Sequence, residues 1–235
     1  MKKLVKILSI VLAMAFVFCA CSDNVTSTSG TTTAAAGEND YVFSDDKASS
    51  AESTAAQTTE KEANSVSAAS GSKVKFTMKN GGEFIVELYP QFAPETVANF
   101  LKLVGEGFYN GLTFHRIVDG FMAQGGDPMG TGRGGSDEEI YGEFADNGFS
   151  QNTLSHQRGV ISMARATDPD SASSQFFICY DDASFLDGSY AAFGKVIEGM
   201  EVVDSFLEGK RVYGSDGALS KPVDPIVIAK AEVIS

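Results

Sequence analysis

The stretch with the most chemical content reads Phe114-His115-Arg116-Ile117-Val118-Asp119-Gly120-Phe121-Met122-Ala123-Gln124-Gly125-Gly126-Asp127. A cation, two large apolar side chains and an amide recur within ten residues. Side chains alternate between the faces of a strand, so Arg116 and its period-two neighbours share one side. A turn at Asp119-Gly120 brings Phe121 and Met122 back beside it. The expected product is an apolar cup with a guanidinium at its rim. Arginine stays charged and presents its N–H groups in fixed directions. Such a cup suits a compact apolar group that is held while a donor is aimed at it.

Other residues that could do chemistry are weaker. His115 and His156 are the only histidines and no cysteine cluster accompanies them, so a metal site is not expected. His115 reads as a satisfied structural histidine. Cys179 stands alone in Phe176-Phe177-Ile178-Cys179-Tyr180 and reads as a small buried hydrophobe rather than a nucleophile. Ser162 and Ser174 show no His/Asp relay, which argues against a serine hydrolase. Gly130-Thr131-Gly132-Arg133-Gly134-Gly135 fits the dinucleotide pattern G-x-G-x-x-G, but that pattern needs a helix after it. Ser136-Asp137-Glu138-Glu139 follows instead and would repel a pyrophosphate. A glycine-rich surface loop is expected there.

The elements that must position the cup can be read from periodicity. Val74, Phe76 and Met78 alternate with polar residues, Asn80-Gly81-Gly82 follows, and Phe84, Val86 and Leu88 resume the alternation. Period-two runs around an Asn-Gly turn predict a β-hairpin. Pro94 opens a helix with Val97, Phe100, Leu101 and Val104 on one face, and Gly105 ends it. Further strands are expected at Leu112–Val118, Phe121–Gly125, Gly159–Ala164, Gln175–Tyr180, Ala191–Ile197 and Pro225–Ile234. A second helix fits Met200–Leu207. The spacing predicts a mainly β fold: a closed eight-stranded antiparallel barrel capped by two α-helices, since closure removes exposed sheet edges.

At this point the sequence resembles the cyclophilin family of peptidyl-prolyl cis-trans isomerases. The resemblance rests on residues 114–127 and on Gly159-Val160-Ile161-Ser162-Met163-Ala164. It also rests on Ser174-Gln175-Phe176-Phe177-Ile178, Phe185-Leu186-Asp187-Gly188 and Phe193-Gly194-Lys195-Val196. It implies isomerase activity on proline-containing segments, with no cofactor and no metal. It further implies that Arg116 is the catalytic arginine and that Phe121, Met122, Phe177 and Leu186 line a proline pocket. Gln124 and Gln175 would hold the arginine and the substrate backbone. Ala164 and Arg165 would flank the peptide groove through main-chain groups, with Phe185 and Tyr190 closing its far side. The family often has tryptophan where Phe185 stands and histidine where Tyr190 stands, which implies weakened cyclosporin binding. Proline is usual at Asp119 and asparagine is frequent at Arg165. A proline-binding module or chaperone without turnover is the alternative on the same frame.

The rest of the chain bears on location. Of 235 residues with net charge −13, the first 21 hold Lys2, Lys3 and Lys6 and no acid. An apolar run from Ile7 to Phe18 follows, then Cys19-Ala20-Cys21. A basic start, a short apolar core and a small residue before the cut predict a secretory signal over 1–21. A cysteine just beyond it resembles a bacterial lipobox and makes Cys21 the expected lipidation site, although Phe18 stands where leucine is usual. Residues 22–72 are rich in Ser, Thr, Ala and acids and are too poor in apolar groups to fold, so a disordered tether is expected. The domain is then 73–235, extracytoplasmic and anchored to the cell membrane, with exported proteins as partners. Its own net charge of −10 argues against nucleic acid. A transporter-feeding solute receptor does not fit, since no alternating βα pattern appears.

Overall fold

The computed structural model describes residues 71–234. The expected signal over 1–21, Cys21 and nearly all of the tether over 22–72 lie outside the described residues.

The first hairpin forms as the alternation predicts. Strand β1 (Lys73–Met78) buries Val74, Phe76 and Met78, and β2 (Glu83–Leu88) buries Phe84, Val86 and Leu88. In the connection, the Gly81 N–H donates to the Met78 carbonyl at 2.9 Å and the Met78 N–H to the Gly82 carbonyl at 2.8 Å. Gly81 takes φ 89°, where any Cβ would be strained.

Helix α1 (Pro94–Gly105) begins on a proline, whose missing N–H costs nothing at that position. Its N-cap residue Ala93 has no side-chain acceptor. Glu143, far away in sequence, supplies one: its carboxylate accepts from the Glu95 N–H at 2.9 Å and the Thr96 N–H at 2.8 Å. A buried carboxylate at this end also meets the positive pole of the helix.

The remaining elements are β3 (Thr113–Val118), β4 (Met122–Asp127), β5 (Val160–Met163), β6 (Phe176–Cys179), β7 (Ala192–Glu198), α2 (Met200–Ser205), β8 (Arg211–Tyr213), β9 (Leu219–Pro222) and β10 (Ile226–Ile234). Eight strands close in the order β1-β10-β3-β4-β6-β5-β7-β2, with antiparallel pairing throughout. This is the expected barrel with two helices. Helix α2 stops at Ser205, short of the expected Leu207, and a 3-10 turn continues over Phe206–Glu208.

One element was not expected. Strands β8 and β9 form a separate two-stranded hairpin that packs against β3. Room exists there because β10 pairs with β3 only at Thr113 and Phe114, leaving the Arg116 end of β3 without a ladder partner on that side. Asp216-Gly217, between Val212-Tyr213 and Leu219, is a hairpin signal of the usual kind.

Inside the barrel, Phe76, Phe84, Phe100, Tyr109, Phe114, Phe176 and Phe193 are fully buried. Phe100 carries α1 onto this cluster, with ring centroids 5.0 Å from Phe193, 5.1 Å from Tyr109 and 5.7 Å from Phe176. Phe100→Ala removes these contacts and a fourth, with Phe76 at 6.4 Å, and opens a cavity. It is expected to destabilise the domain by about 3–5 kcal/mol, measured as a lower urea midpoint with an unchanged slope. A loss below about 1 kcal/mol would mean that α1 is not held by this ring.

Candidate active site

Strand register brings the chemically informative residues together on the barrel's outer face. Arg116 on β3 pairs with Gln124 on β4, Gln124 with Phe177 on β6, and Phe177 with Ser162 on β5. In the next row stand Phe114, Gly125, Phe176 and Met163, of which Phe114, Phe176 and Met163 belong to the core; a register shift between Phe114 and Arg116 puts these period-two neighbours on opposite faces, against the expectation that they share one.

Phe121, Met122, Phe177 and Leu186 are buried, yet they are not part of that core. With Cys179 and Ala183 they form a second hydrophobic cluster, against which Val118, Ala164 and Tyr190 pack. The apolar cup is therefore a patch laid outside the barrel wall. Phe185 is 50% exposed and stacks on Phe121, with centroids 5.7 Å apart. Tyr190 meets Phe177 edge-on at 6.0 Å. Two surface clefts of about 180 and 190 Å³ lie elsewhere, one beside Met78, Phe206 and Pro222, the other beside Asn99, Lys102 and Phe108. Neither sets a guanidinium beside an apolar floor.

Arg116 stands at the edge of this floor. Its Nη1 lies 3.8 Å from Met122 Sδ, a weak acceptor, and its Nε donates to Asp216 Oδ2 at 2.6 Å. Asp216 sits in the β8–β9 turn with its side chain only 5% exposed. Burial pushes its pKa up, but the hydrogen bonds from Arg116 and the Ala218 N–H outweigh that and hold the carboxyl below its ordinary range.

This corrects the expectation that Gln124 and Gln175 hold the arginine. Gln124 Nε2 donates to Gln175 Oε1 at 2.9 Å, and Gln175 Nε2 donates to the Gly134 carbonyl at 2.7 Å. The two amides brace each other and the glycine-rich loop. Asp216 is the site residue that sequence reasoning missed. The Asp-Gly hairpin signal was available, but nothing local says that its carboxylate reaches a residue 100 positions away.

Arg165 is also committed. Its Nε and Nη2 donate to the Ser189 carbonyl at 3.1 and 2.9 Å, and Nη1 donates to the Ala166 carbonyl at 2.9 Å. The guanidinium lies between the Phe144 ring at 5.0 Å and the Tyr190 ring at 4.8 Å. Its side chain thus props the rim, which leaves main-chain groups as its means of meeting a peptide. The neighbouring Ala164 N–H donates to the Gln175 carbonyl at 2.9 Å.

A further correction concerns Ser162. A relay does exist: His156 Nε2 is 2.9 Å from Ser162 Oγ, and His156 Nδ1 is 2.8 Å from Asp187 Oδ1. Burial lowers the His156 pKa, with Asp187 opposing, so the ring is neutral near pH 7. A carboxylate can only accept, so Nδ1 carries the proton and Nε2 accepts from the Ser162 hydroxyl. Ser162 and His156 are both fully buried, so no substrate reaches the hydroxyl. The chain is structural. It ties β5 to the loop after Leu186, and the imidazole stacks on Phe177 at 6.0 Å.

The remaining candidates are inert for physical reasons. Asp127 turns its carboxylate into the glycine-rich loop and accepts from the N–H groups of Met129, Thr131 and Gly132 at 2.7, 2.8 and 2.6 Å. The chain's own anion fills the place a phosphate would take. The Cys179 thiol is buried, which pushes its pKa up to about 12. His115 departs from expectation, because neither buried ring nitrogen has a hydrogen-bond partner among the described residues. Burial lowers its pKa, helped by Arg116 and opposed by Asp127.

Comparison with known proteins agrees with this geometry. A family model described as cyclophilin type peptidyl-prolyl cis-trans isomerase/CLD matches residues 73–233. A peptidyl-prolyl cis-trans isomerase of Helicobacter pylori is 47% identical over 132 residues, covering 55% of this chain and 78% of its own. Peptidyl-prolyl cis-trans isomerase B of Bacillus subtilis is 45% identical over 134 residues, covering 57% of this chain and 90% of its own. A crystal structure of a cyclophilin-type isomerase from Cryptosporidium parvum is 35% identical with a TM-score of 0.56, over 70% of this chain and 98% of its own. The same protein has been solved in the presence of the dipeptide Ala-Pro.

The two histidines make a prediction about pH. Both have folded pKa values below the unfolded value of about 6.5. On acidification the unfolded chain takes up protons first, so stability is full above about pH 6.5 and falls as pH drops towards the folded values. The unfolding free energy should therefore decline between pH 7 and 5. His156→Gln should flatten part of that slope and leave the share of His115. A profile that stays level in wild type would mean that neither ring is held neutral.

Proposed function

We propose that this chain, which belongs to the cyclophilin-type peptidyl-prolyl cis-trans isomerase family, turns X–Pro bonds of exported proteins from a lipid tether on the outer face of the membrane. Membership makes it a peptidyl-prolyl isomerase. The observation that carries the choice of residues is Arg116 held at the edge of an apolar cluster distinct from the core.

Rotation about an X–Pro bond passes through a twisted amide without resonance. The barrier is ~18–20 kcal/mol, so the free reaction takes tens to hundreds of seconds. No bond is made or broken, so the task is to favour the twisted state. In it the proline nitrogen carries a localised lone pair, and a donor aimed there stabilises it while gaining little from the planar ground state. Arg116 Nη1 faces the floor, where the hydrogen-bond partner it has among the described residues is the Met122 thioether. A proline ring seated on Phe121, Met122, Phe177 and Leu186 would replace that weak acceptor.

Magnitude limits what the arginine does alone. A charge-assisted hydrogen bond gives ~1.5–3 kcal/mol net, which is about 10- to 150-fold in rate. The rest is assigned to the grip on the ring and to exclusion of water from a weakly polar transition state. Phe185 and Tyr190 form the outer rim, main-chain groups at Ala164 and Arg165 pair with the substrate, and Gln124 with Gln175 keeps that edge rigid. With Phe185 and Tyr190 at the rim, cyclosporin binding is possible but weakened.

Location rests on the sequence. The basic and apolar start through Phe18, followed by Cys19-Ala20-Cys21, supports export and lipidation at Cys21. Two acyl chains suffice for stable anchoring. Some fifty tether residues give an average reach of ~40 Å at roughly 5–6 Å × √n. That reach suits polypeptides emerging at the membrane surface.

Two outcomes test this reading. Residues 73–235 should strongly accelerate cis-to-trans conversion of an Ala-Pro-Phe peptide, and Arg116→Ala should lose most of that while remaining folded, at a stability cost of about 1–3 kcal/mol for leaving the nearly buried Asp216 carboxylate without its cation. A well-folded but inactive wild type would leave a proline-binding module instead. In cells, the full chain should fractionate with membranes and take up labelled palmitate, and Cys21→Ala should abolish the label. An unlabelled wild type would remove the anchor.

A further inference from the structure

We infer that Asp216 is a positioning residue for the isomerisation, acting by holding Arg116 through Nε so that the Nη groups alone face the apolar floor. This rests on the role of Arg116 proposed above.

The geometry is that of a built holder. Asp216 Oδ1 is fixed by its own hairpin, accepting from the Ala218 N–H at 3.0 Å and from Ser220 Oγ at 3.1 Å. Oδ2 accepts from Arg116 Nε at 2.6 Å, with Ser220 Oγ a longer 3.3 Å away. Ser220 is itself buried. Space around the holder is tight: a Cβ on Gly214 would come within 2.7 Å of Ser220 Oγ and 2.8 Å of Asp216 Oδ1. Only glycine leaves the carboxylate where it is.

Two physical consequences follow. A guanidinium is planar, so anchoring Nε fixes the plane and hence the direction of both Nη groups. An arginine on three free carbons would otherwise lose rotamer entropy each time it engaged a substrate. Anchoring also uses the donor that points away from the floor, so the catalytic N–H groups stay available. No other described residue is bonded to this guanidinium except Met122, whose thioether is a weak acceptor. Removing Asp216 leaves nothing else to hold it.

The test compares Asp216→Asn, Asp216→Ala, Arg116→Ala and the double variant Arg116→Ala/Asp216→Ala on the Ala-Pro-Phe peptide, with thermal unfolding of each. Misplacement of a catalytic group by about 1 Å can lower the rate on the order of 100-fold. We expect Asp216→Ala to lower kcat/KM by roughly 10- to 100-fold, mainly through kcat. Asp216→Asn, which keeps an acceptor oxygen, should lose clearly less. In the Arg116→Ala background, Asp216→Ala should change activity by less than about twofold, because the residue acts only through the arginine. The Arg116 Nε–Hε resonance should shift in both Asp216 variants, even where the melting temperature is unchanged. Asp216→Ala with near wild-type kcat would overturn the inference while leaving Arg116 in place. So would an equal loss in both backgrounds, which would mark a purely structural residue. An inactive wild type would instead bring down the underlying role of Arg116.

Discussion

Phe176 and Phe177 are adjacent in sequence and belong to different hydrophobic clusters, and the site depends on that separation. Phe176 points into the barrel, where it meets Phe76, Phe100, Tyr109 and Phe114. Phe177 points out and joins Phe121, Met122 and Leu186. Strand pleating makes the two sides obligatory alternatives. In a closed barrel no strand can slip by one residue without sending its core side chains outward. The packing of the interior therefore holds Gln124 and Phe177 on the outer face in register, whereas Arg116 joins them through a register shift between Phe114 and Arg116 that leaves Phe114 and Ile117 in the core.

The acidic character of the domain has an internal use. Glu143 caps α1, Asp127 gathers the N–H groups of the glycine-rich loop, Asp187 holds His156, and Asp216 holds Arg116. Each carboxylate joins segments distant in sequence or fixes a loop that a short strand cannot. Charge-assisted hydrogen bonds are shorter and stronger than neutral ones, and partial burial keeps water from competing. The loops around the cup are rigid without a disulfide, and the only cysteine among the described residues is an unpaired buried one.

That rigidity suits an enzyme whose substrates are chains. The cup has a buried apolar floor and an exposed rim at Phe185. Electrostatic help from Arg116 is effective only if the donor is in place beforehand, since reorganising it during the reaction would consume the gain. The Nε anchor on Arg116 and the packing of Arg165 on Tyr190 serve the same end.

Much of this was written in local pattern. Alternation at Val74, Phe76 and Met78, the Asn80-Gly81 turn, and Pro94 before a 3.6-residue apolar stripe are short-range signals, and each produced the element it announced. The apolar cup with a guanidinium beside it was legible from residues 114–127, because two strands joined by a tight turn must lie side by side. What could not be read were partnerships between distant segments. The pairing of Arg116 with Asp216, the Asp187–His156–Ser162 chain and the cap of α1 by Glu143 each join residues between 6 and 100 positions apart. A carboxylate's partner is set by where the chain returns in space, and no local propensity encodes that. Sequence alone determined the kind of chemistry and the elements that carry it. The tertiary fold decided which side chains hold the arginine still and which apolar residues are floor rather than core, because strand neighbours and their facing directions exist only once the barrel has closed.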